Sequence, residues 1–199
     1  MNDLMKEMEI YAAEYDIPIM QKEGIEFFKD LVKENEIYSI LEIGSAIGYS
    51  AICLASLDPK IHILTIERDD ERYQKAVENI EKSGLKSQIE ILHADALECE
   101  IEGLFDCIFI DAAKAQYIRF FEKYEKNLKD TGIIVSDNLS FHGYVEHPTD
   151  SMSRNLKQLV RKIRNYIDYL KNNEKYDTLF LDKGDGLAIS RKKKTNVIE

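Results

Sequence analysis

Short apolar runs alternate with amphipathic stretches along this chain. The runs predict strands at Ser39–Ile43, Ile61–Ile66, Ile89–Leu92, Phe105–Ile110, Gly132–Ser136, Thr178–Leu181 and Leu187–Ser190. Helical spacing predicts helices near 49–57, 70–83, 115–128 and 152–171, with two more before the first strand. Cys107-Ile108-Phe109-Ile110 and Ile133-Ile134-Val135 are apolar at every position, as strands covered on both faces by helices should be. Repeated strand–helix alternation predicts an α/β fold, a doubly wound Rossmann-like sheet of seven strands. The last two strands are joined by Asp182-Lys183-Gly184-Asp185-Gly186, too short for a crossover helix, so a hairpin makes one of them antiparallel.

With 199 residues and 44% hydrophobic positions, the chain can fill one core, and residues 1–199 are expected to form one domain with a helical N-terminal segment of about 1–35. No apolar stretch reaches the roughly 20 residues of a membrane span. The N-terminus has neither signal-peptide nor transit-peptide character. Cys53, Cys99 and Cys107 are sparse and lack CxxC spacing, so neither disulfides nor a zinc site is expected. A soluble, reduced, cytoplasmic protein follows. The net charge of -10 is unevenly spread: residues 1–150 carry -16 and residues 151–199 carry +6. That asymmetry leaves room for a polyanionic ligand on one face.

Ligands of open α/β sheets bind outside the carboxyl ends of the strands. The first predicted strand runs into Gly44-Ser45-Ala46-Ile47-Gly48, whose glycines allow a tight turn and close approach to a ligand. The spacing is neither the dinucleotide fingerprint nor a P-loop. Glu67, about 20 residues on, is placed to accept hydrogen bonds from ribose hydroxyls, and Asp95 can meet an adenine amino group. Taken singly, Glu67 is equally a surface acid and Asp95 an N-cap. Together the three strand ends describe a held nucleoside.

The fourth and fifth strands end in Asp111 and in Asp137-Asn138, two carboxylates and an amide suited to Mg²⁺. Lys114 lies within reach of whatever binds there and suits a general base; an exposed lysine opening a helix is the plain alternative. Base-amine methylation, a cysteine nucleophile on pyrimidine C5 and zinc hydrolysis are disfavoured, because no N-P-P-[YF] segment, Pro-Cys pair or HExxH occurs. Arg154, Lys157, Arg161 and Arg164 recur at intervals of three and four beside the apolar face of helix 152–171, and Arg191–Lys194 adds a basic tail. Such features can grip phosphates or simply be solvated.

Leu41-Glu42-Ile43-Gly44-Ser45-Ala46-Ile47-Gly48-Tyr49-Ser50, Ile110-Asp111-Ala112-Ala113-Lys114 and Asp137-Asn138 resemble the divalent-metal-dependent O-methyltransferases related to caffeoyl-CoA and catechol methyltransferases. Asp16-Ile17-Pro18-Ile19-Met20, Asp137–Gly143 and Gly184–Ser190 narrow the resemblance to the bacterial branch that methylates tRNA 5-hydroxyuridine at the anticodon wobble position. The resemblance implies S-adenosylmethionine held by Met20, Glu42, Gly44, Ser50, Glu67, Asp95, Ala96 and Asp111. It also implies Mg²⁺ held by Asp111, Asp137 and Asn138, Lys114 and Asp111 in catalysis, a tRNA anticodon loop as substrate, and a homodimer. Small catechol-like or caffeoyl-CoA-like molecules are the alternative acceptors, and a non-catalytic adenosyl- and RNA-binding module is a further alternative. The chain begins later than the family does, which implies a reduced helix over the site or the dimer contact. Ala113 replaces an acidic residue of many catechol-type relatives, which favours the tRNA branch.

Overall fold

Residues 1–147 and 152–194 are described by a computed structural model. The chain opens with helices α1 (Asn2–Glu14) and α2 (Lys22–Glu34). In α2, Ile25, Phe28, Leu31 and Val32 recur at helical spacing and are buried. Phe28 meets Phe109 of the sheet with ring centroids 4.8 Å apart and tilted by 60°, a burial worth about 2–3 kcal/mol.

The strands are β1 (Ser39–Ile43), β2 (His62–Glu67), β3 (Ile89–His93), β4 (Phe105–Ile110), β5 (Leu128–Ser136), β6 (Tyr176–Leu181) and β7 (Leu187–Lys192). They lie in the order β3-β2-β1-β4-β5-β7-β6. The first five are parallel neighbours, whereas β7 runs antiparallel to both β5 and β6. This is the expected seven-stranded, mostly parallel sheet with one reversed strand.

Alternation along each strand sorts the core into two layers. Ile40, Cys107, Phe109, Ile133 and Val135 face α1, α2, α3 (Tyr49–Ala55) and α4 (Asp70–Ser83). Leu41, Ile43, Ile108, Ile110 and Ile134 face α5 (Tyr117–Tyr124) and α6 (Arg154–Lys171). Local signals end the helices where expected. Asp69 caps α4 by accepting the Arg72 N–H, Gly84 closes it in the left-handed region, and Ser153 caps α6 by accepting the Leu156 N–H.

Two boundaries differ from expectation by more than two residues. The predicted helix at 115–128 ends at Tyr124 and passes through a 3₁₀ turn at Glu125–Asn127. There the Asn127 amide donates to the carbonyls of Ile101 and Gly103, tying the chain to the β4 approach. As a result β5 starts at Leu128, earlier than Gly132. Its first turn of strand, Lys129-Asp130-Thr131, is polar and partly exposed. No helix among the described residues is long and apolar enough to cross a membrane.

Candidate active site

Each strand of the parallel set hands its chain over to the next at one edge of the sheet. Asp111 N–H donates to the Ile43 carbonyl at 3.0 Å, Ala94 N–H to Glu67 at 3.0 Å and Asp137 N–H to Ile110 at 3.2 Å. The residues that follow the strands are thereby stacked side by side. Gly44 stands at the centre of this crest with φ +99°, and a Cβ there would lie 2.3 Å from the Asp111 carbonyl oxygen. The close approach that Gly44 permits is therefore to the backbone of Asp111, and it fixes the end of β1 against the end of β4.

A cavity of about 400 Å³ opens over this crest, lined by Gly44, Glu67, Asp95, Ala96, Asp111 and Lys114 among others. Glu67 is organised by the backbone. Its Oε2 accepts Ala46 N–H at 2.8 Å, and its Oε1 accepts the N–H groups of Arg68 and Asp69 at 2.9 Å each. Asp95 Oδ1 accepts Leu97 N–H at 2.8 Å while Oδ2 meets Arg68 Nη1 at 3.4 Å, so it braces the turn as well as facing the cavity. Arg72 and Arg119 also line the cavity; nothing in their local sequence sets these two arginines apart from solvated surface residues of amphipathic helices.

Met20, Glu42 and Ser50 lie outside that lining. Glu42 is 1% exposed and points to the α3 layer, where it accepts short hydrogen bonds from Ser50 Oγ and Thr65 Oγ1. Burial pushes its carboxyl up to about 7 against those two donors. A carboxyl that binds its proton more tightly folded than unfolded contributes stability that is full below about pH 4.5 and is lost as pH rises through 7. The loss amounts to ~3 kcal/mol. Glu42→Gln is expected to flatten that part of the pH–stability profile in urea titrations, and a wild-type slope in the variant would contradict the assignment.

Beyond Asp111 the crest becomes acidic. Ile110 pairs with Ser136, which sets Asp111 beside Asp137. Asp137 is 2% exposed, its Oδ1 accepts Asn138 N–H at 2.6 Å, and its carbonyl accepts the Tyr117 hydroxyl at 3.0 Å. Burial raises both carboxyls above the ordinary range. Asp111 and Asp185 add to the rise at Asp137, and Lys114 opposes it at both. Lys114 Nζ donates to Asn138 Oδ1 at 2.8 Å and lies 5.6 Å from the centre of the Phe141 ring. Among the described residues no three His, Cys, Asp or Glu side chains gather at metal-binding spacing. The set at hand is two carboxylates and one amide, all hard oxygen donors, and buried negative charge of this kind fits a divalent cation.

No local sequence pattern marks Asp185 as part of this cluster. It comes from the β6–β7 connection, and β7 runs antiparallel with Ala188 opposite Ser136, so the start of β7 arrives at the same edge as the end of β5. The Gly184-Asp185-Gly186 run signals a turn, but nothing local says where that turn lands.

Past Asn138 a second cavity of about 940 Å³ is bounded by Ser140, His142, Val145, Arg164, Phe180 and Asp185 among others. The basic stripe of α6 splits here. Arg164 stays exposed but reaches across to the loop after Asn138, where its Nε and Nη2 both donate to the Val145 carbonyl and brace the wall of this cavity. Arg154, Lys157 and Arg161 instead border a shallow hollow with Met152 and Gln158.

A family model described as O-methyltransferase matches residues 1–193. A crystal structure from Staphylococcus aureus, provisionally named a caffeoyl-CoA O-methyltransferase, superposes with a TM-score of 0.91 at 38% identity, covering 95% of this chain and 92% of that one. An O-methyltransferase from Bacillus cereus in complex with SAH gives a TM-score of 0.80 at 26% identity, covering 96% and 91%. Caffeoyl-CoA O-methyltransferase 2 of Populus trichocarpa is 28% identical over 205 residues, 96% of this chain and 82% of that protein.

Proposed function

Because the chain belongs to the O-methyltransferase family, we propose that it transfers the methyl group of S-adenosylmethionine to a ring hydroxyl flanked by a second oxygen. The acceptor is a small molecule of the catechol or caffeoyl-CoA kind, and a divalent cation such as Mg²⁺ is held by Asp111, Asp137 and Asn138. One observation carries this reading: the nucleoside-sized cavity and the oxygen-donor cluster share Asp111 and Lys114. The SAH complex of the Bacillus cereus relative supports the donor, and the names of the plant relatives support the acceptor chemistry.

When bound, the cation supplies Lewis acidity that eases loss of the hydroxyl proton. Asp111 and Asp137 supply the negative charge that holds it, and Asn138 adds a neutral oxygen without excess charge. Lys114 Nζ, hydrogen-bonded to Asn138 Oδ1, stabilises the oxyanion as an ammonium, or takes the acceptor proton once it has itself lost one. The Phe141 ring beside it offers an apolar surface to a planar acceptor. The rate gain then comes mainly from holding acceptor oxygen and donor methyl in line.

The second reading is 5-hydroxyuridine of the tRNA anticodon loop, which presents the same pair of adjacent oxygens on a splayed base. The basic hollow of α6 favours it. Arg154, Lys157 and Arg161 replaced together by alanine should then raise KM for tRNA and flatten its salt dependence, with roughly one unit of salt slope lost per phosphate contact. An unchanged KM speaks for the small acceptor.

The deciding assay supplies labelled methyl donor and Mg²⁺ with a catechol and caffeoyl-CoA panel or with hydroxyuridine-containing tRNA. Label on the small acceptors is expected, and label confined to tRNA moves the assignment to the second reading. SAH binding without transfer to any acceptor leaves an adenosyl-binding module and overturns the enzymatic reading.

A further inference from the structure

Three of the five residues from Asn138 to His142 hold a left-handed backbone without being glycine: Asn138 at φ 60°, Phe141 at 45° and His142 at 56°. L side chains rarely adopt that region, and it persists where the surroundings over-determine it. Here the surroundings are the β6–β7 connection. Leu139 and Ser140 N–H donate to the carbonyls of Gly186 and Asp185 at 3.0 and 2.8 Å. Gly186 backs on Ser140 so closely that a Cβ would lie 2.7 Å from its nitrogen. The Asp185 carboxylate, 4% exposed, accepts His142 N–H at 2.5 Å through Oδ1 and faces Asn138 Nδ2 at 3.4 Å through Oδ2.

An amide has two unlike ends, and its neighbours decide which points where. A carboxylate only accepts, so the Asn138 nitrogen turns to Asp185. An ammonium only donates, so the Asn138 oxygen turns to Lys114, whose charge acts on both Asp111 and Asp137.

We propose that Asp185 is a positioning residue for methyl transfer. It orients the Asn138 amide with its oxygen toward the Asp111–Asp137 centre and pins the Phe141–His142 corner through the His142 N–H. The inference rests on the reading of Asp111, Asp137 and Asn138 as cation ligands. Asp185 acts through Asn138 and is not itself a ligand.

Mn²⁺ uptake by the full chain, saturated with S-adenosylhomocysteine and followed by the paramagnetic resonance of free Mn²⁺, tests this without turnover. Asp185→Ala is expected to weaken Mn²⁺ binding on the order of 10- to 100-fold, with S-adenosylhomocysteine affinity unchanged. In an Asn138→Ala background the same substitution should cost little further, because the group it orients is gone. Asp185→Asn, which keeps one acceptor oxygen for two donors, should fall between wild type and Asp185→Ala. Unchanged Mn²⁺ affinity in Asp185→Ala overturns the role, and so does an equal loss in both backgrounds, which is the mark of a charge acting at a distance. Should Asp185→Ala fail to fold, wild-type affinity in Asp185→Asn overturns it. Wild-type protein that takes up no Mn²⁺ removes the cation reading itself, and this inference with it. Normal wild-type uptake with a silent Asp185 variant sinks only the inference.

Discussion

Asp137→Ala is expected to lower methyl transfer by at least 10²–10³-fold, the order seen when a preorganised electrostatic group is removed from a reacting centre. Binding of S-adenosylhomocysteine, measured by calorimetry, should persist. The donor cavity is built from Gly44, Glu67, Asp95 and their neighbours, and Asp137 is not part of its lining. Stability should not fall with activity. The Asp137 carboxyl is 2% exposed, and burial and Asp111 together oppose its charge, so removing it relieves a cost in the folded state that offsets the loss of its hydrogen bond from Asn138 N–H. The melting temperature is expected to hold or rise while the rate collapses. A variant that transfers methyl at the wild-type rate, or wild-type protein that does so in excess chelator, would end the proposed chemistry.

Gly44→Ala should act in the opposite sense, through the fold. The new methyl would lie 2.3 Å from the Asp111 oxygen, 2.9 Å from its carbonyl carbon and 3.0 Å from Ala112 Cα, all of them backbone atoms that no rotamer change can move. The left-handed φ of +99° adds its own strain. Overpacking and backbone strain together predict a loss of about 2–5 kcal/mol, hence a melting temperature lower by roughly 5–20 °C for a chain of this size. Differential scanning calorimetry checks it. A melting point within a degree of wild type would mean that the crest shifts freely, and the tight coupling of β1 to β4 would be wrong.

The sheet was legible in the sequence because parallel strands between two helical layers must be apolar on both faces, and Cys107–Ile110 and Ile133–Val135 say so directly. The residues just after those strands were legible for the same reason, since the topology alone places Asp111 next to Asp137. The start of β5 was not legible, because Lys129-Asp130-Thr131 is a polar stretch at the sheet border whose strand state comes from pairing. Glu42 belongs to a motif that reads as cofactor-binding, yet the period-two rule sends its side chain to the α3 layer and into bonds with Ser50 and Thr65. Arg164 keeps the spacing of the basic stripe, but packing aims it at a carbonyl of the loop after Asn138. Asp185 was hidden most fully, because its place depends on a strand that runs backwards.

The reversed β7 also sets an order of completion as the polypeptide leaves the ribosome. By the time Asn138 has emerged, every strand of the donor half has been made, yet the β6–β7 connection, whose Gly186 and Asp185 carbonyls accept the N–H groups of Leu139 and Ser140, is still to come. The wall formed by Asn138–His142 and the β6–β7 connection is thus the last part of the crest to be completed, after every strand that lines the cavity over Gly44 and Glu67.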